Sequence, residues 1–402
     1  MSDVSVSDTL AILGGPPAVA SPAPAWPQFG DAERAALVRV LESGVWGGYH
    51  EDVRRLEREF AALHDSRFAI ATANGTVSLE IALGGVGIKR GDEVIVPPIS
   101  FVASATAIAR VGAVPVFADV ARETINLDVR RAEAAITSRT RAIVLVHFAG
   151  WPADLDAFVD LCRSHGLALI EDCAHAPGAE WRGRKVGSFG AFGSFSFQAS
   201  KNLTAGEGGM LVTGDADLRE RAWSIANQGR RTGGAWYEHV NLGTNARLTG
   251  FQAALLLAQL ERLPAQVKRR SAAAARLRAA LAAIDGLDAT PASLDTRVTV
   301  ASHHLFSIWI DDRAFGAPRE AVLRALTAEG LPVSAAYPHP LYSNALFQSL
   351  PHVVHACPVA EEYCRRAIWL PHQALLASDD WLDAAVLAFR KVQAHAAALP
   401  VS

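Results

Sequence analysis

The chain has 402 residues, half of them apolar, and a formal net charge of −3. That length supports a large core and two domains, and the near-neutral balance gives no electrostatic case for nucleic acid or an anionic membrane as the main partner. No apolar run is long enough to span a bilayer and no signal-like basic and apolar regions open the chain, so a cytoplasmic protein is expected.

Residues 1–30 are rich in Ala and Pro and read as an extended N-terminal arm. Residues 31–41 have helical apolar spacing behind a possible Asp31 cap and stop at Gly44. A loop with Trp46 and Tyr49 follows, then an amphipathic helix over 53–63. From Arg67 onward short apolar strands alternate with helices. Strands are expected at 68–72, 93–97, 114–117, 142–146 and 167–170, with helices at 77–83, 103–111, 129–136 and 155–164. This alternation implies βαβ units and a mostly parallel sheet covered on both faces, an α/β class. Ser194 to Phe197 then alternates as a strand, a Gly-rich turn holds Lys201, and 210–213 is a further apolar run. A long helical region over 251–284 breaks at Pro264. Beyond it, 304–310 alternates like an antiparallel strand, and 319–329, 356–366 and 379–395 read as helices. The domains expected are a large one over 31–265 and a smaller α+β one over 266–402. The four cysteines (Cys162, Cys173, Cys357, Cys364) show no C-x-x-C spacing and read as buried thiols of a reducing compartment.

Parallel sheets carry ligands at the carboxyl ends of their strands. Asn74-Gly75-Thr76 follows the first strand; free N–H groups at a helix start suit phosphate, although the same residues make an ordinary N-cap. Phe101 follows the second strand and could stack on a planar ligand or belong to the core. Glu171 and Asp172 are adjacent carboxylates that need a cationic partner; an ion pair, a protonated ring nitrogen, or a metal shared with His175 would serve, but no third ligand has suggestive spacing. Lys201 is either a surface turn residue or a desolvated amine nucleophile. Pyridoxal 5′-phosphate needs this set together: a Schiff-base lysine, an acid for the pyridine nitrogen, a phosphate cup and a stacking face.

Those motifs resemble the DegT/DnrJ/StrS family of pyridoxal-phosphate-dependent aminotransferases, which act on keto-sugars and keto-cyclitols. The likeness begins at Gly14-Gly15-Pro16 and Trp46-Gly47-Gly48. It runs over nearly the whole chain, through the Asn-Gly-Thr turn, Pro97 to Ala103, Glu171 to His175, Ser196 to Lys201, Gly206-Glu207-Gly208-Gly209 and Gly243 to Leu248, with Pro338 to Tyr342 and Cys357 to Glu361 most like aminotransferases of aminocyclitol pathways. It implies the type I (aspartate aminotransferase-like) fold, with a mostly parallel seven-stranded type of sheet. By position it makes Lys201 the Schiff-base lysine and Asp172 the partner of the ring nitrogen. Gly75, Thr76 and Ser196 become phosphate ligands, Phe101 the stacking ring, and His175 a neighbour of the phenolic oxygen. Asn245 and Arg247 are implied to reach a neighbour's site in a symmetric homodimer. The implied reaction passes an amino group from glutamine or glutamate, through the pyridoxamine form of the cofactor, to a keto-cyclitol or keto-sugar in aminocyclitol or antibiotic biosynthesis. A 3-amino-5-hydroxybenzoate synthase-like enzyme and an aminotransferase of nucleotide-linked keto-sugars are the alternatives. A non-catalytic regulator is disfavoured by the presence of Lys201 and Asp172. Tyr237, Tyr337, His339 and Tyr342 are candidates for substrate contact, or structural aromatics of their loops. No metal is expected.

Overall fold

The computed structural model describes residues 9–291 and 294–399. Residues 1–8 of the expected arm and residues 292–293 and 400–402 of the expected small domain lie outside them. Five strands follow in order, β1 (Phe68–Thr72), β2 (Glu93–Val96), β3 (Val114–Phe117), β4 (Thr140–Val146) and β5 (Ala168–Asp172). A small hairpin of β6 (Glu180–Trp181) and β7 (Arg184–Lys185) precedes β8 (Phe192–Ser196) and β9 (Gly209–Thr213). The large sheet runs β1-β9-β8-β5-β4-β2-β3, parallel from β8 to β3 and antiparallel on both sides of β9. Central strands are apolar on both faces because both are covered: Val94, Ile95 and Val96 in β2 are all sealed, as are Ile143, Val144 and Leu145 in β4.

Helices cover the sheet and start where the sequence offers caps. They are α1 (Asp31–Ser43), α2 (Glu51–Leu63), α3 (Gly75–Gly85), α4 (Ala103–Arg110), α5 (Val129–Ala134) and α6 (Leu155–His165). Asn74 caps α3 by accepting the Val77 N–H at 2.9 Å. The cap of α1 is Gly30, not Asp31: the Gly30 N–H donates to Glu33 Oε2 at 2.8 Å, and Asp31 pairs with Arg34 instead. Pro264 falls in the first turn of α9 (Leu263–Leu281), which is why the long helical region divides there from α8 (Gly250–Leu260). An additional helix, α7 (Ala216–Ala226), follows β9; its buried side is built largely of alanine.

The C-terminal part carries a four-stranded antiparallel sheet in the order β10-β12-β15-β13, namely Leu287–Thr290, Leu305–Ile310, Ala367–Pro371 and Ser334–Ala335. Short β11 (Val298–Val300) pairs with β6, and β14 (Val353–Val354) pairs in parallel with β3 as an eighth strand of the large sheet. Helices Arg319–Ala328 and Asp379–Ala394 pack on this smaller sheet.

The arm is tied down rather than free. Leu10 and Val19 are buried in the core of this C-terminal part with Leu281, Phe306 and Phe389. Glu329 accepts the N–H groups of Ala11 and Ala18, each at 2.8 Å, and meets Lys391 Nζ at 3.0 Å. Lys391 also donates to the Pro16 carbonyl at 2.9 Å.

Candidate active site

Consecutive residues of a strand point to opposite faces, so Glu171 and Asp172 at the end of β5 part company. Glu171 is a structural acceptor. Its Oε1 takes the N–H groups of Phe189 and Gly190, and its Oε2 takes Gly187 N–H at 2.7 Å and lies 3.1 Å from His147 Nε2. His147, Glu171 and Cys173 stand within 4.8 Å of one another. The Glu171 oxygens already have four partners, and burial pushes the Cys173 thiol well above its ordinary range, which suits a structural cluster. Asp172 is buried on the other face. Its Oδ2 accepts from Ser104 Oγ at 2.7 Å and its Oδ1 from the Ala174 N–H at 3.2 Å. Ser104 Oγ lies 2.7 Å from Ser100 Oγ one helical turn earlier.

At the start of α3, Asn74 uses its side chain on Val77, leaving the Gly75 and Thr76 N–H groups without an acceptor among the described residues. A Cβ on Gly75 would stand 2.7 Å from Ser196 Cβ, so glycine is required for this close approach. The Ser196 hydroxyl, at the end of β8, thus sits against the same turn. Beyond it the chain folds so that Lys201 N–H donates to Gln198 O at 2.8 Å. Gly206 and Gly208 have φ of +82° and +152°, which explains the glycines of this turn. Burial lowers the Lys201 amine to about 8, against a smaller upward pull from Asp172.

Two cavities meet at Lys201. The first, about 810 Å³, is lined by Gly75, Thr76, Phe101, Asp172, His175 and Ser196, among others. The second, about 540 Å³, shares Phe101, His175 and Lys201 with the first and adds Trp26, His304, Tyr337 and His372. Phe101 is 57% exposed, so its ring is offered to the cavity rather than held in the core. Nδ1 of His175 is buried without a partner, and the ring stacks on His304 at 4.3 Å.

Of the substrate candidates, Tyr337 lines the second cavity. The other three line neither. Tyr237 is 77% exposed on its loop, His339 bonds to the adjacent Pro340 carbonyl, and the Tyr342 hydroxyl donates to Glu361. Asn245 and Arg247 also lie outside both cavities of their own chain. Arg247 borders a separate space of about 580 Å³ with Gly48 and Tyr49, and Asn245 is bridged to Asn227.

Residues not foreseen complete the surroundings. His372 accepts from Arg270 Nη2 at Nδ1 (3.1 Å), so its Nε2 carries the hydrogen donated to the Ser200 carbonyl at 3.0 Å, immediately before Lys201. Burial and the Arg270 charge push His372 down to about 3. On the other side of Lys201, Asn202 Oδ1 lies 3.0 Å from His304 Nδ1. Only the Ser100–Ser104 spacing was available in sequence as a signal; the histidines come from segments far along the chain.

A sheet of this order, with a buried amine beside a carboxylate past the carboxyl ends of its strands, is the architecture of the type I pyridoxal-phosphate aminotransferases. The chain belongs to the DegT/DnrJ/EryC1/StrS aminotransferase family, whose profile matches residues 27–385. It is 40% identical over 377 residues to a 3-amino-5-hydroxybenzoate synthase of Amycolatopsis mediterranei (strain S699), covering 90% of this chain and 95% of that protein. It is 40% identical over 415 residues to an L-glutamine:2-deoxy-scyllo-inosose aminotransferase of Micromonospora echinospora, covering 96% and 98%. Among solved structures, a crystal structure of 3-amino-5-hydroxybenzoic acid synthase superposes with a TM-score of 0.87 at 38% identity, covering 93% of this chain and 99% of the other. No helix among the described residues is long and apolar enough to cross a membrane.

Proposed function

We propose that the chain transfers an amino group from L-glutamine or L-glutamate to a keto-cyclitol or keto-sugar, using pyridoxal phosphate, in the making of an aminocyclitol or amino sugar of secondary metabolism. The observation that carries this reading is the meeting of the two cavities at Lys201. One has a carboxylate and a phosphate-type turn; the other adds polar groups without formal charge, among them Tyr337, His304 and His372. The relative named for 2-deoxy-scyllo-inosose supports the acceptor class.

The residues of the first cavity fit the cofactor. The free N–H groups of Gly75 and Thr76, with the Thr76 and Ser196 hydroxyls, provide donors for a phosphate. Asp172, oriented by Ser104, is the group to hold a positive charge on the ring nitrogen. Phe101 offers a stacking face, and His175, which lines the same cavity, would be a neighbour of the phenolic oxygen. When bound, pyridoxal phosphate supplies an electron sink for the substrate carbon. Lys201 would hold it through its amine, and Nζ, when free, would be the group that takes and returns the proton of the reacting carbon. A symmetric homodimer, in which Asn245 and Arg247 complete a neighbour's site, is part of the same proposal. That neither residue lines a cavity at its own chain's Lys201 supports it. So is a cytoplasmic setting, for which the free, buried cysteines speak.

The test is a spectral titration of the purified protein with L-glutamine and L-glutamate, followed by product analysis with 2-deoxy-scyllo-inosose, other inososes and nucleotide-linked keto-sugars. The visible band of lysine-bound cofactor should give way to that of the amine form, and the ketone should emerge aminated. A band unchanged by every amino acid would defeat the reading. The second reading, a 3-amino-5-hydroxybenzoate synthase-type reaction, is favoured by the relative and the crystal structure of that name; the same product analysis with a 3-amino-5-hydroxybenzoate precursor separates the two.

A further inference from the structure

We infer that Lys201 is held in position from both sides by the C-terminal part of the fold. His372 grips Ser200, the residue before it, and Asn202, the residue after it, is tied to Ser302 and His304. His372 and Asn202 are thereby positioning residues for the lysine amine. The inference rests on the aminotransferase reading above and adds these two residues to its machinery.

The turn itself holds the lysine backbone by one bond, from the Lys201 N–H to the Gln198 carbonyl at 2.8 Å. The Ser200 carbonyl has no backbone partner among the described residues. Its donor is His372 Nε2 at 3.0 Å, from 172 residues further along the chain. On the other side Asn202 is buried and uses both ends of its amide. Nδ2 donates to the Ser302 carbonyl at 2.9 Å, so Oδ1 accepts the hydrogen of His304 Nδ1 at 3.0 Å. Ser302 is a fixed point: its N–H donates to the Gly150 carbonyl at 2.9 Å and its hydroxyl to the Pro177 carbonyl at 2.6 Å. Gripped one residue before and one residue after, the backbone at Lys201 cannot turn without breaking a hydrogen bond.

Arg270 explains why the first grip keeps its direction. It is fully buried, and its Nε and Nη1 have no partners among the described residues. Its printed hydrogen bond runs from Nη2 to His372 Nδ1 at 3.1 Å. Burying a guanidinium without a carboxylate is costly, and packing alone would be served by a hydrocarbon at this place. The charge does what a hydrocarbon cannot. Burial lowers Arg270 only to about 9, so it stays charged near neutral pH and always donates. Nδ1 of His372 must then accept, and Nε2 must carry the hydrogen for Ser200. Without that donor the ring could take its other tautomer and turn a lone pair toward the carbonyl. Trp26, edge-on at 4.5 Å, and His304, stacked at 5.6 Å, hold the plane of the His372 ring.

The experiment separates the reach of the amine from the integrity of the rest of the site. In capturing pyridoxal phosphate, the lysine nitrogen bonds to the aldehyde carbon and the aldehyde oxygen leaves as water, so the rate of capture reads where the amine stands. Pyridoxamine phosphate has no aldehyde, and its affinity reads the site without that bond. His372→Phe keeps a ring between Trp26 and His304 and removes both hydrogen bonds. It should slow capture of saturating pyridoxal phosphate by stripped protein roughly tenfold, the loss of one hydrogen bond, and leave the dissociation constant for pyridoxamine phosphate within about twofold. His372→Gln, whose amide can accept from Arg270 and donate to Ser200, should recover most of the rate. Asn202→Ala tests the other side independently and should slow capture to a similar degree, again with pyridoxamine phosphate binding unmoved. Capture at the wild-type rate in either His372→Phe or Asn202→Ala would overturn the inference. So would His372→Gln as slow as His372→Phe, or pyridoxamine phosphate binding weakened as much as capture. Neither measurement uses an amino donor or a ketone, so the result stands apart from that of the spectral titration with glutamine.

Discussion

Ser104 Oγ donates to Asp172 Oδ2 at 2.7 Å, and this bond sets the plane of the carboxylate that faces the first cavity. The serine lies at the start of α4, and Ser100 backs it from one turn earlier. A hydrogen bond to a charged group contributes about 1.5–3 kcal/mol. Ser104→Ala is therefore expected to raise the dissociation constant for pyridoxal phosphate by about tenfold or more, measured by fluorescence titration of stripped protein. An unchanged constant would remove Ser104 from the site.

Lys201→Ala should lower turnover by roughly 10²–10⁴, the range associated with a positioned acid–base group, and should abolish the visible band of lysine-bound cofactor. Persistence of that band without added amine would refute the lysine assignment. Asp172→Asn keeps the shape and the Ser104 contact but removes the charge. It should retain the fold by circular dichroism while losing at least about a hundredfold in turnover.

Lys201 has its amine lowered from 10.5 to about 8 by burial. Below that pH the group is protonated and cannot attack; above it the neutral amine predominates. The rate at which stripped protein recaptures pyridoxal phosphate should therefore rise with pH and reach half its maximum near 8, followed by stopped-flow absorbance. A midpoint near 10 would mean that the amine is fully solvated.

Gly75→Ala places a Cβ 2.7 Å from Ser196 Cβ. Either the turn or β8 must yield, and the phosphate-type donors move with it. Cofactor retention during dialysis should fall by about an order of magnitude, as when one charged hydrogen bond is lost. The double variant Gly75→Ala, Ser196→Gly removes both the clash and the Ser196 hydroxyl, so it should retain the cofactor about as well as Ser196→Gly alone; a further loss beyond that variant would show that the Cβ clash is not the cause.

Glu329 and Lys391 are both sealed from solvent and together bind the backbone of the arm. Removing one member of a buried pair typically costs about 3–5 kcal/mol. Glu329→Ala should show that loss in urea unfolding, with faster proteolysis within residues 9–20. A change below about 1 kcal/mol would mean that the ion pair is replaced without loss.

The large sheet was legible because its strands are apolar on both faces and end at turn residues: β1 stops at Thr72 before Asn74, β3 at Phe117. Helix α7 escaped because the residues it seals are small (Ala222, Ser224, Ala226) and its large apolar ones, Leu218, Trp223 and Ile225, are only partly buried. Strand β15 escaped because it follows directly from helix Pro358–Arg366, with no Gly, Asn or Asp between to mark the change. The same contrast holds at the site. Gly75, Phe101, Asp172 and Ser196 stand at or just beyond strand ends, where a parallel sheet announces its ligand side. Trp26, His304 and His372 reach Lys201 only through tertiary packing, and no local pattern carries that information.

The anchoring of the arm has a consequence for how the polypeptide is born. Ala11, Ala18 and Pro16 find their partners 318, 311 and 375 residues later. The earliest of the described residues to leave the ribosome must wait for nearly the whole chain before it can settle, while the local βα units can form as they emerge. Trp26, against His372 on the rim of the second cavity, belongs to that waiting segment. The second cavity is thus among the last features to close during synthesis, after the sheet that carries Lys201.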